Sequence, residues 1–75
     1  MRLRLVTRAG CHLCEDAEAA LEAFGAAFEL TDVDEDAELA RLYDFRVPVL
    51  LDGDRVLLEG RIDQATLRSA LPVQR

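Results

Sequence analysis

The sequence predicts an α/β domain of 75 residues: a four-stranded mixed sheet flanked by three helices, in the order βαβαββα. Three observations lead there. Arg2 to Thr7 alternates, with Leu3 and Leu5 on one face, which is the period of a half-buried strand. From Cys14 to Phe24 the apolar residues change to helical spacing. Further on, two apolar runs, Val49-Leu50-Leu51 and Val56-Leu57-Leu58, flank Asp52-Gly53-Asp54 and read as a tight hairpin.

Arg8-Ala9-Gly10 breaks the first strand. In the first helix Cys14, Ala17, Ala20, Leu21 and Phe24 form the apolar stripe, and Glu15, Asp16, Glu18 and Glu22 cover the rest. Glu15 and Asp16 are expected in the first turn, where acids suit the helix dipole, and Gly25 is expected to stop the helix. Ala27 to Val33 reads as a second strand anchored by Phe28 and Leu30. Asp32 to Asp36 is an acidic, cap-rich stretch that can open a short helix buried through Leu39, Leu42 and Tyr43. Arg46-Val47-Pro48 interrupts any helix, because the residue before a proline avoids the helical region. Gly60 ends the last strand. Asp63 is a good N-cap for the final helix, with Ile62 and Leu67 at the spacing of a hydrophobic staple. Leu67, Ala70 and Leu71 should face the core, and Pro72 should end the helix. The first two strands, joined by a helix, should be parallel with a right-handed crossover, and the hairpin antiparallel.

Residues 1–75 are too few for two cores, so one domain is expected. A core of this size stabilises by roughly 3–5 kcal/mol. A Cys-x-x-Cys loop is too short to add much, so stability must rest on the apolar content of 51%, which together with 32% charged residues describes a globular chain. The net charge of −6, with nine basic residues that are all Arg and never clustered, argues against nucleic acid and anionic membrane as partners. No signal peptide is recognised, and no stretch approaches the roughly 20 apolar residues of a membrane span, so the expected location is cytoplasmic. Close-set cysteines in the cytosol are more often catalytic or metal-binding than structural.

Cys11-His12-Leu13-Cys14 falls at the junction between the first strand and the first helix. A helix N-terminus offers unpaired N–H groups and the positive end of the dipole, which favour a thiolate. Such a position can lower a thiol pKa from about 8.5 to roughly 3.5–7.5. Cys11 is therefore expected to attack disulfides. Cys14, nearly a turn deeper on the apolar stripe, is expected to resolve the mixed disulfide. The plainer alternative is two neighbouring core cysteines. A closed zinc site is not expected, because Cys11, His12 and Cys14 lack a fourth soft ligand. An iron–sulfur cluster shared between two chains stays open. His12 has two readings: a cation that stabilises the Cys11 thiolate, or an exposed residue at a helix start.

The sequence resembles the glutaredoxin family along nearly its whole length, and its element order is the minimal thioredoxin-like arrangement. The family's Cys-Pro-Tyr-Cys appears as Cys11-His12-Leu13-Cys14, and its common basic residue three before the first cysteine as Arg8. Its Val-Pro pair with a cis peptide bond appears as Val47-Pro48, and its Gly-Gly-x-Asp-Asp segment as Gly60-Arg61-Ile62-Asp63-Gln64. The resemblance implies a monomeric thiol–disulfide oxidoreductase with no bound cofactor. Its expected partners are protein or low-molecular-weight disulfides, with glutathione as co-substrate or a thioredoxin reductase as reductant. Catalysis would rest on Cys11 and Cys14. Thiol binding would rest on Arg8, His12, Val47, Pro48, Gly60, Arg61 and Asp63. The Val47 backbone would pair with an extended substrate, and the N–H groups beyond Asp63 would hold a carboxylate of glutathione.

Four positions depart from the family. His12-Leu13 replaces Pro-Tyr, Arg61 replaces the second Gly, and Gln64 the second Asp. Disulfide exchange is thus better supported than glutathione binding. Two other functions fit the same motifs: a partner-binding module whose cysteines do not turn over, and a glutathione-assisted iron–sulfur carrier. Arg8, Arg46 and Arg61 are further expected to form a positive rim around Cys11, with Glu29, Asp32, Asp34, Glu35, Asp36 and Glu38 lying elsewhere.

Overall fold

Alternating strand and helix patterns become eight short elements in the computed structural model, which describes residues 2–71. Pro72, the expected helix stop, lies outside the described residues. The strands are β1 (Leu3–Thr7), β2 (Phe28–Asp32), β3 (Val49–Asp52) and β4 (Arg55–Glu59). The helices are α1 (His12–Phe24), α2 (Ala37–Tyr43) and α3 (Gln64–Ala70), with a 3-10 turn at Val33–Glu35 before α2. The sheet order is β2-β1-β3-β4. β1 and β2 are parallel, from Leu3 opposite Phe28 to Thr7 opposite Asp32, with α1 making the crossover. β3 runs antiparallel to β1, with Val6 opposite Val49, and pairs with β4 through the hairpin turn at Gly53, where φ is 61°. A register shift between Leu50 and Leu51 inserts one extra residue on the β4 side.

The strand period of two divides the apolar residues between two cores. Leu3, Leu5 and Leu50 face Ala17 and Leu21 of α1 together with Ile62, Leu67 and Leu71 around α3. Val6, Val49 and Leu51 face the opposite way, against Val33, Leu39 and Tyr43. The sheet is therefore covered by α1 and α3 on one face and by α2 on the other. β1 is not half-buried as its alternation implies, because Val6 is fully enclosed beneath α2 while Leu5 is enclosed on the other side.

Three further expectations change. Helix α1 begins at His12 with Cys11 as its cap, at the helix N-terminus where it was expected, but of the two acids expected in the first turn Glu15 falls there and Asp16 beyond it. Leu30 is 52% exposed rather than an anchor, since β2 is an edge strand and an open groove of about 310 Å³ separates it there from α1. Leu42 is also exposed, because a helix as short as α2 buries a single stripe, and Leu39 and Tyr43 occupy it. Among the described residues, no helix is long and apolar enough to cross a membrane.

Candidate functional site

The end of β1 sets the site. After Thr7 the chain turns through Arg8-Ala9-Gly10, where Gly10 takes a left-handed φ of 77° that an L side chain rarely adopts. This delivers Cys11 to the N-cap of α1 in an extended conformation. Its Sγ accepts a hydrogen bond from the Cys14 backbone N–H at 3.2 Å, the bond that a serine or aspartate cap would accept. A carboxylate or hydroxyl there would only cap the helix, whereas a sulfur brings redox chemistry. Cys11 is partly exposed and Cys14 is 3% exposed; both are free thiols. Burial pushes the Cys14 thiol up from its ordinary 9.0 to about 11, and its hydrogen bond with Cys11 adds to this.

His12 points to solvent, with its side chain 98% exposed and Nδ1 3.9 Å from Glu15 Oε1. That geometry is the exposed helix-start residue. Leu13, next in the chain, is also exposed.

The Val47-Pro48 bond is cis, and Pro48 is fully buried. Since Val6 pairs with Val49, the chain just before β3 passes beside the residues that follow β1. The pair thus lies at the level of the cysteine loop. The Gly60 N–H donates to the Pro48 carbonyl at 2.9 Å, which brings the Gly60-Arg61 segment to the same end of the sheet.

Asp63 begins α3 with a reciprocal capping box: its carboxylate accepts from the Thr66 N–H at 3.0 Å, and Thr66 Oγ1 accepts from the Asp63 N–H at 2.9 Å. The Thr66 N–H holds the Asp63 carboxyl below its usual range. The expected free donors for an outside carboxylate are thereby reduced, because Asp63 itself takes the Thr66 N–H. Gln64 is also occupied, its amide donating to the Ala20 carbonyl of α1 at 2.8 Å. Between α1 and this segment lies an open groove of about 480 Å³, lined among others by Leu13, Asp16, Arg61 and Asp63.

The positive rim is not what the structure shows. The Arg8 guanidinium grips Asp34 in bidentate fashion, at 3.1 and 3.0 Å, donates to the Asp44 carbonyl at 3.0 Å and pairs with the Asp44 carboxylate. These bonds raise the Arg8 pKa still further and hold the Asp34 carboxyl below its usual range. Arg46 pairs with Glu59 and lies 5.2 Å over the Tyr43 ring. Arg61 has Asp63 as an electrostatic neighbour. Asp34, expected elsewhere, is the principal partner of Arg8. Nothing local in the sequence marks these pairs, since Arg8 is 26 residues from Asp34 and 36 from Asp44. Among the described residues, no three His, Cys, Asp or Glu side chains cluster as a metal site.

Chemically, this end of the molecule offers one accessible sulfur with a directed N–H donor, a second sulfur sealed one turn below, and a cis-proline loop alongside. The model of the family described as "Glutaredoxin-like domain (DUF836)" matches residues 2–72. Among solved structures, protein XcR50 from X. campestris is 42% identical with a TM-score of 0.77, over 89% of this chain and 91% of that one. Protein Ne2328 from Nitrosomonas europaea is 31% identical with a TM-score of 0.73, over 95% and 91%. The glutaredoxin-like protein NrdH-redoxin from Escherichia coli, described for a thioredoxin-like activity profile, is 26% identical with a TM-score of 0.75, over 99% and 100%. No curated protein matches the sequence.

Proposed function

The chain belongs to the glutaredoxin-like domain family, with a thioredoxin-like fold and a redox-type function, and from that premise we propose that it is a thiol–disulfide oxidoreductase acting through Cys11 and Cys14. Its substrates are protein and low-molecular-weight disulfides. The main support is the position of Cys11, capping α1 with its sulfur on the Cys14 N–H beside the cis Val47-Pro48 bond.

In the proposed cycle the Cys11 thiolate attacks one sulfur of the substrate disulfide. The substrate S–S bond breaks, and the leaving sulfur departs as a thiolate that takes a proton from solvent. Cys14 then gives up its proton and attacks Cys11 Sγ. The second substrate thiol is released, and a Cys11–Cys14 disulfide remains. The substrate has gained two electrons and two protons from the cysteine pair, and an external dithiol returns them. Burial of Cys14 serves this order of events: at neutral pH it stays a protonated thiol, so only the Cys11 sulfur competes for substrate.

The reductant is better matched by a thioredoxin-reductase-type dithiol than by glutathione. NrdH-redoxin is described for a thioredoxin-like profile. In this chain Arg8 is engaged by Asp34 and Asp44, and the Thr66 N–H by Asp63, which leaves few groups for the carboxylates of glutathione. The chemistry needs no resident cofactor and suits a monomer in the reducing cytoplasm.

A disulfide-exchange assay with each reductant tests the proposal. Cys11→Ser is expected to abolish exchange. Cys14→Ser is expected to stall with substrate attached, visible by mass as a mixed disulfide. Two thiols that stay free after brief oxidation would sink it.

A further inference from the structure

Phe45 is 95% exposed, far more than Leu13, Leu30, Leu42 or Val56, which lie between 37% and 52%. A large apolar side chain held almost wholly in water is unfavourable unless something covers it in use. Phe45 is nonetheless held on both sides. Before it, the Asp44 carbonyl and carboxylate are gripped by Arg8; after it, Arg46 is fixed by Glu59 and by the Tyr43 ring, and the Arg46 N–H donates to the Tyr43 carbonyl at 2.9 Å. Leu42, 40% exposed, precedes it by three residues. The loop also belongs to the cysteine end of the molecule, since Arg8 is three residues before Cys11 and Phe45 is three before Pro48.

The surrounding charge is acidic. The Arg8 cluster holds two carboxylates against one guanidinium, Arg46 is balanced by Glu59 and Arg41 by Glu38, and Glu35 and Asp36 add to the exposed surface of the neighbouring segment. Resting on the oxidoreductase reading above, we propose that Phe45 is a docking anchor for protein disulfides. An apolar side chain near the target cysteine packs on Phe45 and Leu42, while a neighbouring Lys or Arg faces Asp34 and Asp44. An aromatic anchor with an acidic border selects an apolar, basic protein segment over an anionic small thiol.

The test uses two short peptides, each carrying its cysteine as a mixed disulfide with thionitrobenzoate, one flanked by Leu and Lys and the other by Ser and Glu. Hydroxyethyl disulfide serves as the small probe. Wild type is expected to prefer the Leu/Lys peptide by about tenfold in kcat/KM, a typical anchor effect. Phe45→Ser is expected to remove most of that preference through KM, and Phe45→Leu to keep most of it. General damage to the fold would slow all three probes together and leave the ratio intact. A wild type that reduces hydroxyethyl disulfide but shows no peptide preference overturns the docking proposal alone. A wild type that reduces none of the probes overturns the oxidoreductase reading as well. If Phe45→Ser turns a dimer into a monomer in sedimentation while the preference survives, Phe45 pairs two copies of the chain and the proposal fails.

Discussion

Unfolding turns Cys14 from a thiol with a pKa of about 11, 3% exposed, into a solvated one near 9.0. Between those values the unfolded chain loses a proton that the folded chain keeps, so ionisation favours unfolding. The stabilisation is therefore fully present below about pH 9 and is lost as pH rises toward 11. A difference of this size corresponds to about 3 kcal/mol. Urea midpoints of the reduced protein are expected to fall steeply across that window, and Cys14→Ala is expected to flatten the slope. The placement of Cys11 at the start of α1 and of Cys14 on its buried stripe was legible in the sequence, because both lie within one turn of one helix. Arg8 was legible only as a basic residue near the motif. Its partners, Asp34 and Asp44, follow from the folding of three distant segments to one place, and no local pattern records that.

Helix α1 shows how far an element can be read. Its stripe and its stop at Gly25 both appear in the sequence and in the fold, with Gly25 at φ 85° and its N–H donating to the Glu22 and Leu21 carbonyls. A Cβ at Gly25 would meet nothing within 4 Å, so Gly25→Ala tests backbone conformation alone. It is expected to destabilise by about 1 kcal/mol in urea denaturation, with redox activity kept. The start of α1 near Cys11 was legible too, but the hydrogen bond from the Cys14 N–H to its sulfur was not, since sulfur is an unusual cap. β2 was read too generously. Its composition suggests anchors at Phe28 and Leu30, but Phe28 packs against the core and Leu30 does not. That difference depends on the strand's place at the sheet edge, which is a property of the assembled sheet.

The whole molecule rests on two small cores divided by the sheet. Leu50 is fully buried on the α1 and α3 side. Truncating such a leucine costs about 2–5 kcal/mol, comparable with the roughly 3–5 kcal/mol available to a domain of this size. Leu50→Ala is expected to abolish a cooperative urea transition at 25 °C. Leu42→Ala, at a position 40% exposed, is expected to stay within about 0.5 kcal/mol of the parent. A mixed sheet flanked by three helices was legible from strand alternation and helix spacing, because both periods are local; which helix covers which face was not. The bulge at Leu50-Leu51 and the full burial of Val6 were not, since each depends on a neighbour supplied by another element. The Arg8 clasp acts at this scale too, by joining the chain at residues 8, 34 and 44. Ordering a free loop residue takes about 1–2 kcal/mol of conformational entropy. With the loop before Pro48 already fastened, much of that entropy is lost during folding rather than when a partner arrives. In the docking proposed for Phe45, the arginine would aid recognition without touching the partner, by preorganising the surface on which an incoming chain is received.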